Sequence, residues 1–453
     1  MHALHVSPWY PPEVLGGVET FLIGLSQRLV ELGVRTSVFC YSSEVPVGTV
    51  AENSYMGCQV YRFGMAAGDL WTWHRLPHVV TAARDVASKA RPDVVHFHPN
   101  PVMPRWLAHT LRRDGFPIVT TRHAAFATQC ARYGLTMPDG SKCDGYDNAL
   151  TCLLCARGHM RNPLGTVAAR MMAPFALLAL EILERLRGIV PGVRHYQALD
   201  LMRFVRGVSA VHDYLRVSTI VVAPSRFIAD HYRGAGYDVP YRIIGHGCDF
   251  GHLRGVVRKP SPVVRFGYVG RLSSEKGVHV AIEALRRRPD LRAKLLIFGP
   301  GYDSRYSARL HELANGDPRI SLQGPVPPEC IAQAYSQFDV VVLPTVYPES
   351  WSMTVREAFA SGAPVIASSI GALPEVIGHE VNGILVEAGD PEALASALAR
   401  LSEDADLLKR LKAGIPPVKS FTENASEYLS VYSEAIARAS TAGERLSLAE
   451  NNE

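Results

Sequence analysis

Three groups of residues in this chain have types and spacings suited to chemistry. They are Arg271 and Lys276 in "GRLSSEKG", Glu349 and Glu357 in "YPESWSMTVREAFASG", and Gly16-Gly17 in "PPEVLGGVET". An arginine fork and a lysine point charge at the mouth of a strand suit a diphosphate, although a bare R-x4-K also reads as two solvated charges. The two glutamates stand eight residues apart. They read as an acid/base pair, as ordinary helix residues, or as two ends of a clamp. The Gly-Gly lies between a strand and a helix, where backbone N–H groups meet an anion; a ligand-free tight turn has the same signature. No G-x-G-x-x-G and no acidic residue closing a second strand accompany it, which disfavours a nicotinamide cofactor.

Gly362 and Pro364 mark a helix stop, so the helix between the glutamates starts at Ser352 or Met353 and runs to about Ala360. Glu349 precedes that start and Glu357 lies inside the helix. Backbone N–H groups of Met353, Thr354 and Val355 then fall among the unpaired donors of the first turn, unless Ser352 caps one of them. Cys130, Cys143, Cys152 and Cys155 form a further cluster that ends in C-x2-C. That spacing matches half of a structural zinc knuckle; four buried thiols are the alternative.

The elements that must position these residues are short apolar strands alternating with amphipathic helices, which predicts α/β layers around parallel sheets. "ALHVS", "TSVFCY", "DVVHFH", "PIVTTRH" and "TIVVAPS" read as strands of a first half. "VVRFGYVG", "KLLIFGPG", "DVVVLPT", "PVIASS" and "GILVEAG" read as strands of a second. The expected division is an N-terminal domain over 1–255, carrying an insertion at about 126–215, and a C-terminal domain over 256–420. A helix over 421–440 returns to the first domain, and a polar tail follows over 441–453. Two doubly wound halves place a ligand cleft at the carboxyl ends of both sheets. In the insertion, the apolar helix Val167–Leu186 reads as core, with a membrane surface as the alternative. Trp71, Trp73 and His74 are candidate acceptor contacts.

At 453 residues the chain suits two domains of roughly 200 residues each. Its 47% apolar and 20% charged content suits a soluble globule, and a net charge of +4 with no basic stripe argues against nucleic acid. No signal peptide is visible at the N-terminus, which points to the cytoplasm.

Taken in order, "GRLSSEKG", "GPG", "LQGPV", "YPESWSMTVREAFASGAPVIASSIGALPEVI" and "NGILVEAGDPEALASAL" resemble the retaining GT-B glycosyltransferases of family 4, the glycogen synthase and sucrose synthase superfamily. "PPEVLGGVE", "DVVHFH", "VTTRH" and "VVAPSRFIADHY" are the N-terminal counterpart. The resemblance implies two Rossmann-like domains and transfer of a sugar from a UDP- or GDP-sugar, with retention, to a glycan, lipid-linked or small-molecule hydroxyl. A non-catalytic sugar-nucleotide-binding protein is the alternative. Glu349 and Glu357 match the family's E-x7-E, which puts Glu357 on the ribose and Glu349 beside the sugar. Arg271 and Lys276 match the diphosphate pair, helped by Gly16, Gly17 and the amides of Met353, Thr354 and Val355. Gly324 and Val326 match the segment lining the base, and His123 the strand-end histidine near the reacting carbon. The resemblance implies no catalytic metal, and it admits contact with the inner face of a membrane. Ser352 replaces a common glycine, Gly371-Ala372 a Gly-Gly, and His246 an asparagine.

Overall fold

The structure is a computed structural model that describes residues 1–13, 16–65, 77–99, 103, 105–123, 175, 214–234, 237–301 and 303–450. The four cysteines 130, 143, 152 and 155, the segment 167–186 apart from Phe175, and Trp71, Trp73 and His74 lie outside the described residues. By contacts the chain forms two units. One comprises Met1–Pro224, Ile228–His246 and Phe421–Glu453; the other comprises Ser225–Phe227 and Gly247–Ser420.

The N-terminal unit holds β1 (His2–Val6), β2 (Arg35–Ser42), β3 (Val50–Tyr55), β4 (Cys58–Gly64), β5 (Val94–Phe97), β6 (Ile118–Thr121), β7 (Ile220–Ala223) and β8 (Tyr241–Ile243). Their order in the sheet is β3-β4-β2-β1-β5-β6-β7-β8. Every neighbouring pair is parallel except β3 and β4. Strands such as Val94–Phe97 and Ile220–Ala223 are buried along their whole length, as expected where helices cover both faces of a sheet. The helix Gly17–Glu31 puts Phe21, Leu22, Leu25 and Leu29 into the core and stops before Gly33, whose φ of 79° ends the turn.

The helix expected over 421–440 runs from Phe421 to Glu450, so most of the expected tail is helical. Tyr428, Val431, Tyr432 and Ala435 pack into one core cluster with Phe21, Leu25, Val94 and Ile220. The closing segment therefore belongs to the N-terminal unit although it follows the C-terminal one in sequence.

The second unit holds β9 (Val264–Val269), β10 (Ala293–Phe298), β11 (Ile320–Gly324), β12 (Val340–Leu343), β13 (Val365–Ser368) and β14 (Gly383–Val386). Its order is β11-β10-β9-β12-β13-β14, parallel throughout. Direction of progression reverses between β9 and β12, and the crevice outside the carboxyl ends of such a pair is where open α/β sheets take ligands. Several of its helices start on side-chain caps. Asp303 accepts from the N–H groups of Arg305 and Tyr306, and Asp390, followed by Pro391, accepts from those of Glu392 and Ala393. The expected joint at 255/256 stands against a boundary at 246/247, because Leu253 is buried with Phe338, Val355 and Phe359 of the second unit. Among the described residues no helix is long and apolar enough to cross a membrane.

Candidate functional site

At the reversal between β9 and β12 the chain turns sharply. After β9 a 3-10 turn, Ser274–Lys276, leads to Gly277 in the left-handed region (φ 66°). A Cβ on Gly277 would stand 1.9 Å from the carbonyl oxygen of Pro344, so only glycine lets this loop pack on the end of β12. Thr345 Oγ1 and the Val346 N–H both donate to the Glu275 carbonyl, at 3.0 Å each. That contact fixes Lys276 beside the chain leaving β12.

Lys276 Nζ donates to Glu349 Oε1 at 2.5 Å, and both side chains are largely sheltered. Glu349 is in turn clamped by backbone. It bridges Gly371, and the Ala372 N–H donates to its carbonyl at 2.8 Å. Gly371 has φ 63°, and a Cβ there would come within 2.5 Å of the Glu349 carbonyl oxygen. Arg271 is exposed, and its guanidinium makes no hydrogen bond or ion pair among the described residues, while its carbonyl accepts from Tyr268 Oη at 2.7 Å. One cation is thus paired in advance, and among the described residues the other is not.

The helix Met353–Ala360 begins as expected, with Ser352 as its N-cap. Ser352 Oγ accepts from the Val355 N–H at 3.4 Å, leaving the Met353 and Thr354 N–H groups without an intrahelical acceptor. The start is braced by Arg356, which donates to the Ser352 carbonyl at 2.9 Å and stacks 3.3 Å over the Trp351 ring. Burial pushes the Arg356 pKa down to about 10. Glu357 sits one turn on and accepts from Tyr335 Oη at 2.8 Å. Desolvation raises its pKa, while the Tyr335 hydroxyl and the charge of His252 oppose the rise.

Gly324, with φ 78°, accepts from the Gly299 N–H at 2.8 Å, and Val326 packs against the cluster around Phe298 and Phe338. Arg271, Lys276, Glu349, Glu357 and the 353–355 amides therefore all belong to one end of one sheet. Lys276 and Glu349 are in direct contact.

In the N-terminal unit Gly16 is the N-cap of the helix Gly17–Glu31, and its N–H donates to Glu19 Oε2 at 2.8 Å. A Cβ added at Gly17 would meet nothing within 4 Å, so packing does not demand glycine there. His123 follows β6 and is half-buried. Its Nε2 lies 3.0 Å from His98 Nδ1 and its Nδ1 3.2 Å from His246 Nε2. Burial first, and the Arg122 guanidinium second, hold its pKa far below the ordinary value, at about 3. The sequence reading missed His5, His96 and His98. The signal was the alternation in "DVVHFH", which puts His96 and His98 on one face of a strand.

Residues 264–404 match the family model described as Glycosyl transferases group 1, and residues 15–149 match that of Glycosyltransferase Family 4. A D-inositol 3-phosphate glycosyltransferase of Corynebacterium efficiens is 34% identical over 181 residues, which is 37% of this chain and 42% of the relative. Such matches span less than half the length of these curated relatives. Among solved structures, the sucrose-phosphate synthase of Thermosynechococcus elongatus superposes with a TM-score of 0.65 at 18% identity, covering 96% of this chain and 99% of that one. Anabaena HepE in complex with UDP gives a TM-score of 0.56 at 18% identity, over 99% and 100% of the two chains. With a matched family model on each of its two parallel-sheet units, the chain has the GT-B glycosyltransferase fold of the family 4 and group 1 type.

Proposed function

We propose that this chain is a retaining glycosyltransferase that moves a hexose from a UDP- or GDP-sugar to a hydroxyl of a glycan, lipid-linked or small-molecule acceptor. The observation that carries this reading is the gathering of Arg271, the Lys276–Glu349 pair, the Met353 and Thr354 amides and Glu357 at the β9/β12 reversal. Arg271 and Lys276 take the donor diphosphate. Glu357 accepts from the ribose hydroxyls, and Glu349 faces the sugar once Lys276 turns to phosphate. Gly324 and Val326 line the base, while Gly16, Gly17 and His123 keep the roles their motifs imply.

In the reaction the bond from the anomeric carbon to the phosphate oxygen breaks and its electrons leave with the nucleoside diphosphate. The acceptor oxygen bonds to the same face of the sugar, and its proton passes to the departing phosphate. The two cations and the helix-start N–H groups stabilise the charge that builds on the leaving group. With Glu357 committed to the far end of the donor, the two glutamates do not flank the anomeric carbon as a two-carboxylate hydrolase scheme requires. Anabaena HepE, which shares this fold, was solved in complex with UDP, so UDP-sugars head the panel below. Cys130, Cys143, Cys152 and Cys155 are proposed as a structural zinc site. Metal analysis of purified protein with less than one zinc or iron per chain would remove that part.

The test is a panel of UDP-, GDP- and ADP-sugars, read by thermal shift and by release of nucleoside diphosphate. One donor is expected to raise Tm and turn over. Glu357→Ala should raise donor KM by about 10-fold or more with kcat retained, the scale of a hydrogen bond to a charged group. Lys276→Ala should also lower kcat. Binding without turnover would mean a sugar-nucleotide-binding protein that has lost the reaction, and no response to any donor would sink both readings.

A further inference from the structure

His5 and His96 are register partners on the adjacent parallel strands β1 and β5, and His98 lies two residues beyond His96 on the same face. His123 and His246 complete a row at the carboxyl ends. Hydrogen bonds run along it in one sense. His5 Nδ1 lies 3.1 Å from His98 Nε2, His98 Nδ1 is 3.0 Å from His123 Nε2, and His123 Nδ1 is 3.2 Å from His246 Nε2. His96 stands beside this row with its ring centre 4.1 Å from that of His98. Its own nitrogens are taken by Tyr432 Oη and Thr121 Oγ1, each at 2.7 Å.

The nitrogens of His5, His96 and His98 lie within 4.8 Å of one another, but a metal would have to break the bonds that His96 and His98 already make. A neutral imidazole has one N–H and one lone pair. In a row where every link joins Nδ1 to Nε2, choosing the tautomer of one ring therefore fixes all the others. Either every ring carries its proton on Nδ1, or every ring carries it on Nε2. Any mixture sets two N–H groups or two lone pairs against each other.

The row is closed at His5. His5 is 0% exposed, and its Nε2 has no partner among the described residues. This dead end rules out proton conduction, because nothing at His5 Nε2 gives or takes a proton. Burial holds His5, His96 and His98 below the ordinary histidine pKa. The other titratable or charged groups facing the rings are His2, Arg122, Tyr428 and Tyr432. No carboxylate hydrogen-bonds His5, His96, His98 or His123 among the described residues.

We propose that His5, His98 and His246 are positioning residues that lock His123 as a neutral imidazole in the tautomer its neighbours share, with both nitrogens committed, so that His123 takes no part as a general acid or base. The functional half of this statement rests on the transferase reading above; the tautomer half does not. Long-range 1H–15N correlation spectra of the full chain, labelled with 15N-histidine, test it directly at pH 7. His5, His98, His123 and His246 should all report one and the same neutral tautomer. Neighbouring rings in opposite tautomers, or a charged ring in the row, would overturn it, and this measurement needs no variant to fold.

His98→Ala leaves room for water at His123 Nε2. His123 should then show both tautomers and titrate closer to neutrality, with a loss in kcat and little change in donor KM. A folded His98→Ala protein whose His123 keeps a single tautomer would also overturn the proposal. So would a wild-type kcat/KM profile that breaks between pH 5.5 and 8 in step with the His123 resonance. Correct spectra with no donor turnover would sink the transferase reading and leave the locked row intact.

Discussion

Ser352 illustrates how one side chain tunes a helix start. Its Oγ takes the Val355 N–H, one of the amides assigned to the donor. Replacing a serine cap with glycine costs only a few tenths of a kcal/mol. Ser352→Gly should therefore leave Tm nearly unchanged while lowering donor Kd by about 2- to 10-fold, the worth of one freed hydrogen bond. Titration calorimetry with the donor found by the panel checks this, and weaker binding would show that Ser352 itself touches the ligand. Gly17 makes the complementary case. A Cβ there has open space, and alanine is the better helix former by up to about 1 kcal/mol. Gly17→Ala is expected to raise Tm and at the same time raise donor KM. If both are unchanged or improved, no ligand approaches that backbone.

At the scale of elements, the contact that ties the closing helix to the first one is a ring seated in a notch. A Cβ on Gly24 would stand 2.3 Å from the Phe421 ring, so this mid-helix glycine gives up helix propensity to admit the aromatic face. Gly24→Ala should destabilise the N-terminal unit by about 1–3 kcal/mol, as other overpacked cores are destabilised. Gly24→Ala combined with Phe421→Leu should recover part of the loss. Urea midpoints of the single and double variants decide it, and additive losses would mean the two residues do not meet. The strands and the Met353–Ala360 helix were legible because unbroken Val/Ile runs and a Ser cap are local signals. β3, β4, β8 and β11 were not: Val50–Tyr55, for one, is mostly exposed and carries no apolar alternation, so only its pairing with β4 makes it a strand.

For the molecule as a whole, the buried histidines set an acid limit. His5, His96 and His98 are at most 1% exposed, and their pKa values are lowered by burial. The unfolded chain protonates these rings near pH 6.5, while the folded chain does not until far lower, so stability is full above 6.5 and falls as pH drops toward 3. Each ring that stays neutral costs about 1.4 kcal/mol per pH unit over that window. Denaturation midpoints at pH 7, 6 and 5 should fall with an increasing slope, and His96→Gln should flatten the curve. A midpoint independent of pH down to 5 would contradict the burial of the row.

Residue order alone determined the two-sheet α/β class, the spacing of Arg271 and Lys276, the two glutamates and the helix start between them, because each is written in spacings of a few residues. The pairing of Lys276 with Glu349, the clamp of Gly371 on Glu349 and the imidazole row did not follow from that order. They join residues far apart along the chain, and only the register of parallel strands brings their side chains within bonding distance. The same holds for the closing helix, whose apolar face was readable but whose seat on the N-terminal unit depends on the missing side chain of Gly24. Spacing reveals which groups are available for chemistry; the register of the folded sheets decides which of them are already bonded to one another.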